Sequence, residues 1–397
     1  FYLKNGDRVV FYGDSITDQR LYTTLAETYV VTRYPKLDVS FVHSGWGGDK
    51  VSGGGGGPIA LRLQRDVFPY KPTVMTIMLG MNDGRYRAAT AANDQEFFDG
   101  FKNIVESTKQ NLPGIRITAI RPSPYDDFTR EPNFAGGYNA VLINFGNWIA
   151  HYAQENGLNV ADLNTNVVAT LKKAEEIDPQ LATKILPDRV HPGVGGHLIM
   201  AEELIKSWNG RALVSAVTID ASGSRPKVKL QDHTEVTGLT SENGVQWTEL
   251  DDALPLPFAN WEKDQAVALA VRSSDVTEAL NQEPLTVRGL KEGNYTLKID
   301  GETVGTFSNT DLAKGVNLAV LATPMAKQAF EVHDLTLKHN NVHFAKWRTV
   351  QVPLQDSNVA QGKAAMDALD ALDAALVAKQ HEAAQPKSHH FELVPAA

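Results

Sequence analysis

Residues 8–17 read RVVFYGDSIT, an apolar run that ends in glycine, aspartate and serine. The run Arg8–Tyr12 is rich in β-branched and aromatic residues and predicts a buried strand. Gly13 permits a tight turn, and Ser15 stands where a following helix would begin. In open parallel sheets, ligands bind beyond the carboxyl ends of the strands. Ser15 is therefore a candidate functional residue, with a helix N-cap as the competing structural interpretation.

Similar apolar runs recur along the first half of the chain, separated by stretches with helical spacing. The segments 94–111, 137–155 and 194–208 are predicted helices. Five strands alternating with helices predict an α/β fold, with a parallel sheet covered on both faces. The four further predicted strands are Val39–His43, Thr73–Leu79, Arg116–Ile120 and Asn159–Leu163.

After Asn209-Gly210 the pattern changes, which predicts a catalytic domain at 1–210 and a smaller accessory region at 211–397. Residues 211–322 contain short alternating runs with turn signals and predict a β-rich part. Asp300-Gly301, between two such runs, indicates a β-hairpin. Residues 323–382 are expected to be helical, and residues 383–397 are expected to form a frayed tail.

Composition limits the possible partners. The 397 residues contain no cysteine, which excludes disulfides and a thiol nucleophile. Residues 1–210 carry 21 Lys/Arg against 23 Asp/Glu, and residues 211–397 carry 17 against 24. Neither part has the basic surplus expected of a nucleic-acid-binding protein. No apolar run approaches the ~18 residues of a membrane span. The sequence begins at Phe1, and an exported protein, periplasmic or secreted, is the working expectation; the oligomeric state stays open.

Three further polar motifs follow predicted strands or the last loop of the first half. They are Gly45-Trp46-Gly47-Gly48, Gly80-Met81-Asn82-Asp83 and Asp188-Arg189-Val190-His191. Each would reach the sheet edge where Ser15 lies. Ser15 supplies a hydroxyl nucleophile, and the three motifs supply a backbone donor, an amide, an imidazole and a carboxylate. These are the parts of a serine hydrolase.

These motifs, in this order, resemble those of the SGNH/GDSL hydrolases over about residues 7–209. The resemblance implies a flavodoxin-like three-layer α/β/α sandwich. It identifies Ser15 with the nucleophile, His191 with the general base and Asp188 with the carboxylate that orients it. Ser15, Gly48 and Asn82 match the oxyanion-hole donors. Many members have asparagine before the first glycine of the second motif, where this chain has His43-Ser44, so Gly45 stays an alternative to Gly48.

Aromatic and arginine side chains on the same loops are candidates for gripping a sugar or another polar alcohol. The alternative is that they only pack the rim of the cleft. These candidate substrate-binding residues are Trp46, Arg85, Tyr86, Arg121 and Tyr125.

Other residues are expected to be structural. Asp49 and Asp83 are expected to hydrogen-bond to the loops, Gly53–Gly57 to form a flexible loop, and His197 to lie at the surface or to pack on its helix. In the accessory region, exposed tryptophans could stack on sugar rings, which suggests a glycan-binding module as an alternative to a plain scaffold. Those tryptophans are Trp247, Trp261 and Trp347.

The sequence therefore predicts a serine esterase that needs no metal or cofactor and forms an acyl-enzyme. Its expected substrate is an ester, most naturally an acetylated carbohydrate, which makes an O-acetylesterase the first hypothesis. An acyltransferase on the same site and a lipid or lysophospholipid acyl hydrolase are the alternatives. A non-catalytic glycan-binding protein is disfavoured because all the chemical positions are intact.

Overall fold

The computed structural model describes residues 1–242, 244–257, 263–357 and 359–396. The strands of the first half are β1 (Arg8–Gly13), β2 (Ser40–Gly45), β3 (Gly53–Gly54), β4 (Gly57–Pro58), β5 (Val74–Met78), β6 (Arg116–Arg121) and β7 (Asn159–Asp162). The helices are α1 (Ser15–Asp18), α2 (Leu21–Arg33), α3 (Ile59–Asp66), α4 (Ala91–Asn111), α5 (Asn139–Asn156), α6 (Thr165–Ile177), α7 (Pro179–Ala182) and α8 (Val194–Ser207).

Five of these strands form a parallel sheet in the order β2-β1-β5-β6-β7. Every residue of β5 and all but the first of β1 are buried, as expected for a sheet covered by helices on both faces. α2 packs against α8, and α4 packs against α5. The five predicted strands and the α/β fold class are therefore confirmed.

The register of the sheet brings the ends of three strands together. Gly13 at the end of β1 pairs with Gly45 of β2 on one side and with Met78 of β5 on the other. β2 and β5 flank β1 on opposite sides, which creates the switch point where such sheets bind ligands. The loops after β1, β2 and β5 consequently share one edge of the sheet.

The second half adds two sheets and further helices. One sheet has the order β10-β11-β16-β13-β14, and the other has the order β15-β12-β8-β9. The strands are β8 (Ala216–Asp220), β9 (Lys227–Asp232), β10 (Thr234–Thr240), β11 (Val245–Asp251), β12 (Pro284–Arg288), β13 (Asn294–Ile299), β14 (Glu302–Ser308), β15 (Val316–Asn317) and β16 (His389–Pro395). The helices are α9 (Gln265–Arg272), α10 (Val276–Leu280), α11 (Asn309–Lys314), α12 (Pro324–Phe344), α13 (Val352–Leu354) and α14 (Ala360–Ala383).

The predicted hairpin joins β13 and β14, which pair antiparallel. Asp300 has φ 51° and Gly301 has φ 80°. Positive φ at both central residues is what a type I′ hairpin turn requires, and it explains the Asp-Gly pair. The hairpin prediction is confirmed.

The prediction of a frayed tail was wrong. Residues His389–Pro395 form β16, which lies between β11 and β13 within the larger accessory sheet. The alternation of the segment explains this placement: Phe391 and Leu393 are buried, and the Phe391 ring stacks on Trp247 at 5.1 Å. A period of two with large apolar residues on one face is a strand signal, even near a chain end.

The accessory region packs on the hydrolase half through α12, which lies against α2. Glu27 of α2 is buried and pairs with His43 of β2 at 3.0 Å and with His339 of α12 at 2.5 Å. Gln380 of α14 also donates to Glu27, at 3.0 Å. Burial opposes ionisation of Glu27, but the charge of His339 and these hydrogen bonds outweigh it and lower its pKa.

Buried hydrophobic side chains from both halves form one continuous cluster. The division of the chain at residues 210 and 211 stays a prediction. None of the described helices is both long and apolar enough to span a membrane.

Candidate active site

Ser15 is the first residue of α1, directly beyond the end of β1. The Asp14 side chain caps the helix by accepting a hydrogen bond from the Ile16 N–H at 3.0 Å. Burial raises the pKa of Asp14 to about 7. A β-carbon on Gly13 would lie 2.6 Å from the Met78 carbonyl oxygen, so only glycine fits at this turn. Asp14 is thus the cap, and Ser15 is half-buried with its hydroxyl free to face the cleft.

His191 joins Ser15 to Asp188. Its Nε2 lies 2.8 Å from Ser15 Oγ, and its Nδ1 lies 2.7 Å from Asp188 Oδ2. The other carboxylate oxygen, Oδ1, accepts from the backbone N–H groups of His191 at 2.7 Å and Val190 at 3.0 Å. Burial opposes ionisation of Asp188, but the hydrogen bonds from His191 and Val190 together outweigh it and lower the pKa below its usual range. The carboxylate is therefore ionised at neutral pH and can orient the ring.

The loop after β2 forms a tight turn beside Ser15. Asp49 N–H donates to the Trp46 carbonyl oxygen at 3.1 Å, and Gly48 at the third position has φ 79°. Positive φ there is the requirement of a type II turn, so glycine is needed. A β-carbon placed on Gly47 would lie 4.0 Å from the Ser15 β-carbon. Gly45, the alternative, is part of β2 and pairs with Gly13, which favours Gly48 as the available N–H.

Asn82 lies on the loop after β5, and its side-chain amide is held at both ends. Its Nδ2 donates to the Asp49 carbonyl oxygen at 3.0 Å, and its Oδ1 accepts from the Tyr86 hydroxyl at 3.0 Å. The donor and acceptor partners fix which way the amide points. Among the residues that the structure describes, the second N–H of Nδ2 has no acceptor and could serve another one.

The two aspartates next to these loops are structural, as predicted. Asp49 Oδ2 accepts from Arg62 Nε at 2.7 Å, and both side chains are buried. Asp83 Oδ1 accepts from the Val51 N–H at 2.9 Å. Burial raises the pKa of Asp83 to about 7.

The candidate substrate-binding tyrosines lie together near the triad. The Tyr86 ring is 6.1 Å from the ring of Tyr125 and 5.0 Å from that of Tyr138. Tyr86 is 41% exposed, whereas Tyr125 is buried. Burial, with the nearby charge of Asp14, raises the pKa of Tyr86 to about 12, so its hydroxyl is neutral at ordinary pH. Tyr86 is therefore the accessible member of this group, and the buried Tyr125 packs near its ring.

The two candidate arginines and Trp46 have other partners. Arg85 pairs with Glu96 at the surface. Arg121 donates to Asp162 at 2.7 Å and to Asn147 at 2.8 Å, and no recorded hydrogen bond links it to the triad loops among the described residues. Trp46 is half-buried, with the guanidinium carbon of Arg348 3.6 Å from its ring centroid.

The loop Gly53–Gly57 is part of a short hairpin in which β3 pairs with β4, rather than a flexible loop. A β-carbon on Gly56 would lie 2.7 Å from the Trp46 ring, and one on Gly53 would lie 2.2 Å from the Gly57 carbonyl oxygen. The glycines are therefore required by close packing. His197, as predicted, is buried on α8, where its ring stacks parallel to Tyr22.

The hypothesis of exposed sugar-stacking tryptophans in the accessory region was wrong for the two that the structure describes. Trp247 and Trp347 are both buried. Their indole N–H groups donate to Glu249 at 2.8 Å and to Asp66 at 2.7 Å. Their rings are occupied by protein packing and cannot stack on a sugar. Trp261 lies outside the described residues.

Sequence reasoning missed Asp18 and Arg348, which contact the loop after β2. Asp18 follows Ser15 by one helical turn, a spacing that could have suggested a neighbour of the site. Arg348 lies 333 positions from Ser15 in the chain and carries no local signal. Among the residues that the structure describes, no group of three or more His, Cys, Asp or Glu side chains could hold a metal ion.

Residues 11–199 match the model of the GDSL-like lipase/acylhydrolase family. An acetylxylan esterase of Geobacillus stearothermophilus is 26% identical over 224 residues, which cover 51% of this chain and 94% of that protein. A gut microbial diltiazem-metabolizing enzyme of known structure is 25% identical with a TM-score of 0.85, over 99% of this chain and 98% of that one. A crystal structure of the acetylxylan esterase gives 21% identity and a TM-score of 0.44, over 53% of this chain.

Both the family match and the sheet with its flanking helices lead to one assignment. Residues 11–199 are similar to the GDSL-like lipase/acylhydrolase family, and this similarity, with that to the acetylxylan esterase, supports a carboxylic ester hydrolase.

Proposed function

We propose that this protein is a serine O-acetylesterase that acts on acetylated carbohydrate through Ser15, His191 and Asp188. The observation that carries the proposal is the position of the His191 ring, 2.8 Å from Ser15 Oγ and 2.7 Å from Asp188. A serine hydroxyl is a weak nucleophile until a neighbouring base takes its proton, and this arrangement supplies the base and its orienting carboxylate.

The reaction has two displacements. Ser15 Oγ attacks the acyl carbon while its proton passes to His191 Nε2. The bond to the alcohol oxygen then breaks, and that oxygen takes the proton from His191. Water next attacks the acyl carbon and gives a proton to His191. The acyl–Oγ bond breaks, Ser15 regains its proton and the carboxylic acid leaves.

Three donors are available for the negative oxygen of each tetrahedral intermediate. They are the N–H of Ser15 at the start of α1, the N–H of Gly48 and the free N–H of the Asn82 amide. Donors already fixed in place need no reorganisation when charge develops, and losing one typically costs ~3–4 kcal/mol.

The exposure of the site supports a bulky alcohol component. His191 is 36% and Asp188 57% exposed, so an acetyl group on a polymer can approach from solvent. Tyr86 and Asn82 give the described rim an aromatic and polar character, which suits a sugar better than a long acyl chain. Acetylxylan and diltiazem, the compounds in the names of two similar proteins, both carry O-acetyl groups.

Hydrolysis of p-nitrophenyl acetate tests the assignment of Ser15 and His191. We expect Ser15→Ala and His191→Ala to lower kcat by at least ~10³-fold. Ser107→Ala and His151→Ala are matched controls because both residues lie on helices outside the loops of the site, Ser107 half-buried and His151 exposed. Wild-type turnover by Ser15→Ala would refute the nucleophile assignment.

Acetate release tests the substrate class. Acetylated xylan, mannan and pectin, O-acetylated sialic acid and peptidoglycan, and diltiazem should be compared, with Ser15→Ala as the blank. Release from at least one glycan is expected. Release from none of the glycans, together with faster cleavage of long-chain p-nitrophenyl esters or lysophospholipid, would replace the carbohydrate proposal by a lipid hydrolase. Transfer of acetyl to an added sugar instead of water would identify an acyltransferase.

A further inference from the structure

The C-terminal helical part of the chain contacts the loop that follows β2. α12 continues into a π-helical segment, Ala345–Gln351, which carries Arg348. The Arg348 guanidinium carbon lies 3.6 Å from the Trp46 ring centroid, and its Nη1 lies 3.2 Å from Asp18 Oδ1 and 3.5 Å from the Gly45 carbonyl oxygen. A planar guanidinium can stack on an indole while it donates hydrogen bonds in its own plane.

Asp18 connects Arg348 to the turn beside Ser15. Its Oδ1 faces Arg348, and its Oδ2 accepts a hydrogen bond from the Gly47 N–H at 3.1 Å. Gly47 directly precedes Gly48, whose N–H is the proposed oxyanion donor. The orientation of that peptide group therefore depends on where Asp18 holds Gly47.

The glycines of this loop explain why an external support is needed. Glycine adopts more backbone conformations than any other residue, so a loop containing Gly45, Gly47 and Gly48 loses much entropy when it is fixed. Trp46 is the only large side chain between them. Arg348 stacks on its ring, and the Trp347 ring contacts it edge-on at 5.4 Å.

The same segment also braces the far end of the loop. Trp347 Nε1 donates to Asp66 Oδ1 at 2.7 Å, and Asp66 pairs with Arg62. Arg62 in turn donates to Asp49 at 2.7 Å. Asp49 is the residue whose carbonyl oxygen accepts from Asn82. Contacts from the π-helical segment thus reach two of the three proposed oxyanion donors, Gly48 and Asn82.

We propose that Arg348 is a positioning residue for ester hydrolysis, which acts through Asp18 and Trp46 to hold the Gly47–Gly48 peptide toward the developing oxyanion. This inference rests on the proposed function, because it assigns Gly48 to the oxyanion hole. It gives the region outside the matched residues an indirect part in the reaction, through the loop after β2. Since the contacts orient a transition-state donor, they should affect kcat more than KM.

Steady-state hydrolysis of p-nitrophenyl acetate by the full-length chain tests the proposal. We expect Arg348→Ala to lower kcat about 10- to 100-fold, less than complete removal of a donor, with KM within about twofold of wild type. Arg348→Lys keeps the charge but not the planar stack and should recover only part of kcat. Lys346→Ala is the matched control, because it removes a cation of the same segment that pairs with Asp370 of α14.

A double-mutant cycle separates positioning from general destabilisation. Asp18→Asn should also lower kcat, and Arg348→Ala should cost much less in the Asp18→Asn background than in wild type. Thermal unfolding of each variant shows whether it is folded at the assay temperature. If Arg348→Ala does not fold, Arg348→Lys and Asp18→Asn carry the test.

Several outcomes would overturn the proposal. One is a wild-type kcat in a folded Arg348 variant or in Asp18→Asn. Another is a double variant in which the losses in kcat from Arg348→Ala and Asp18→Asn are fully additive. The third is a loss in kcat in Lys346→Ala equal to that in Arg348→Ala. These results differ from failure of the proposed function, in which Ser15→Ala would keep its activity. An inactive Ser15→Ala together with a fully active Arg348→Ala refutes only the positioning role.

Discussion

Tyr86 offers the sharpest test of how the proposed oxyanion hole is built. Its hydroxyl donates to Asn82 Oδ1 at 3.0 Å, while Asn82 Nδ2 donates to the Asp49 carbonyl oxygen at 3.0 Å. Tyr86→Phe removes only that hydroxyl and leaves the aromatic ring in place. The amide of Asn82 would then lose the hydrogen-bond donor that fixes the direction of its oxygen. Because the amide is planar, the direction of its second N–H would also be less well fixed.

The expected size of the effect follows from the bond that is lost. A neutral hydrogen bond contributes a net ~0.5–1.5 kcal/mol, and ~1.4 kcal/mol corresponds to a tenfold change in rate. We therefore expect kcat to fall about 3- to 10-fold. Complete loss of the amide in Asn82→Ala should cost ~10²–10³-fold. Burial raises the pKa of Tyr86 to about 12, so the hydroxyl is protonated and donates throughout the range of an ordinary assay.

The assay is kcat and KM for p-nitrophenyl acetate, measured for Tyr86→Phe, Asn82→Ala and the double variant. If Tyr86 acts through Asn82, Tyr86→Phe should cause little further loss in the Asn82→Ala background, and KM should change little. Tyr152→Phe is a suitable control, because its ring packs against Trp148 on α5. A raised KM and an equal loss in both backgrounds would refute this reasoning and assign the Tyr86 hydroxyl to direct substrate contact.

Two predictions concern stability against pH. Burial raises the folded-state pKa of Asp83 from 3.8 to about 7, so its contribution to stability falls as pH rises from about 4 to 7. Asp83→Asn keeps an acceptor for Val51 and should therefore unfold at a higher temperature than wild type at pH 8, with a smaller difference at pH 5. An identical difference at both values would contradict the raised pKa. Burial lowers the pKa of His339, but Glu27 and Asp373 outweigh it and raise the pKa to about 10. The stabilising contribution of His339 is complete below about pH 6.5 and is lost as the pH rises through about 10. His339→Gln should therefore reduce the decline in unfolding temperature over that interval. An unchanged slope would exclude the pairing of His339 with Glu27 and Asp373.

Local patterns in the sequence predicted the features that depend on neighbouring residues. Each strand of the parallel sheet is a short apolar run, and each motif directly follows a strand or lies in the last loop. The register in which Gly13 pairs with both Gly45 and Met78 then brings the loops together without further information. The proximity of Ser15 and Asn82 could be predicted for this reason, because sheet topology carries their loops to one edge, whereas His191 lies in the loop before α8.

The positions that sequence reasoning missed depend on contacts between distant parts of the chain. The segment with Phe391 and Leu393 follows a long helix and ends the sequence, which suggested fraying, yet its alternation fills a gap between β11 and β13. Trp347 was predicted to be exposed and able to stack on a sugar ring. Its indole N–H instead donates to Asp66, which lies 281 positions earlier, so its environment could not be inferred from neighbouring residues. The spacing of apolar residues along the chain gives no information about a contact between residues so far apart.

Charged residues on the first helices show the physical limit most clearly. Glu27 of α2 and Asp18 of α1 would each be taken as solvent-exposed on sequence grounds, because isolated carboxylates are rarely buried. Glu27 is buried and is stabilised by His339, whereas Asp18 is only half-buried and pairs with Arg348. A buried charge without its partner costs several kcal/mol, so the hydrolase half is adapted to the helices that cover it. The sequence motifs predict the reacting groups, whereas these long-range ion pairs connect the helices beyond the matched residues to the loops of the proposed site.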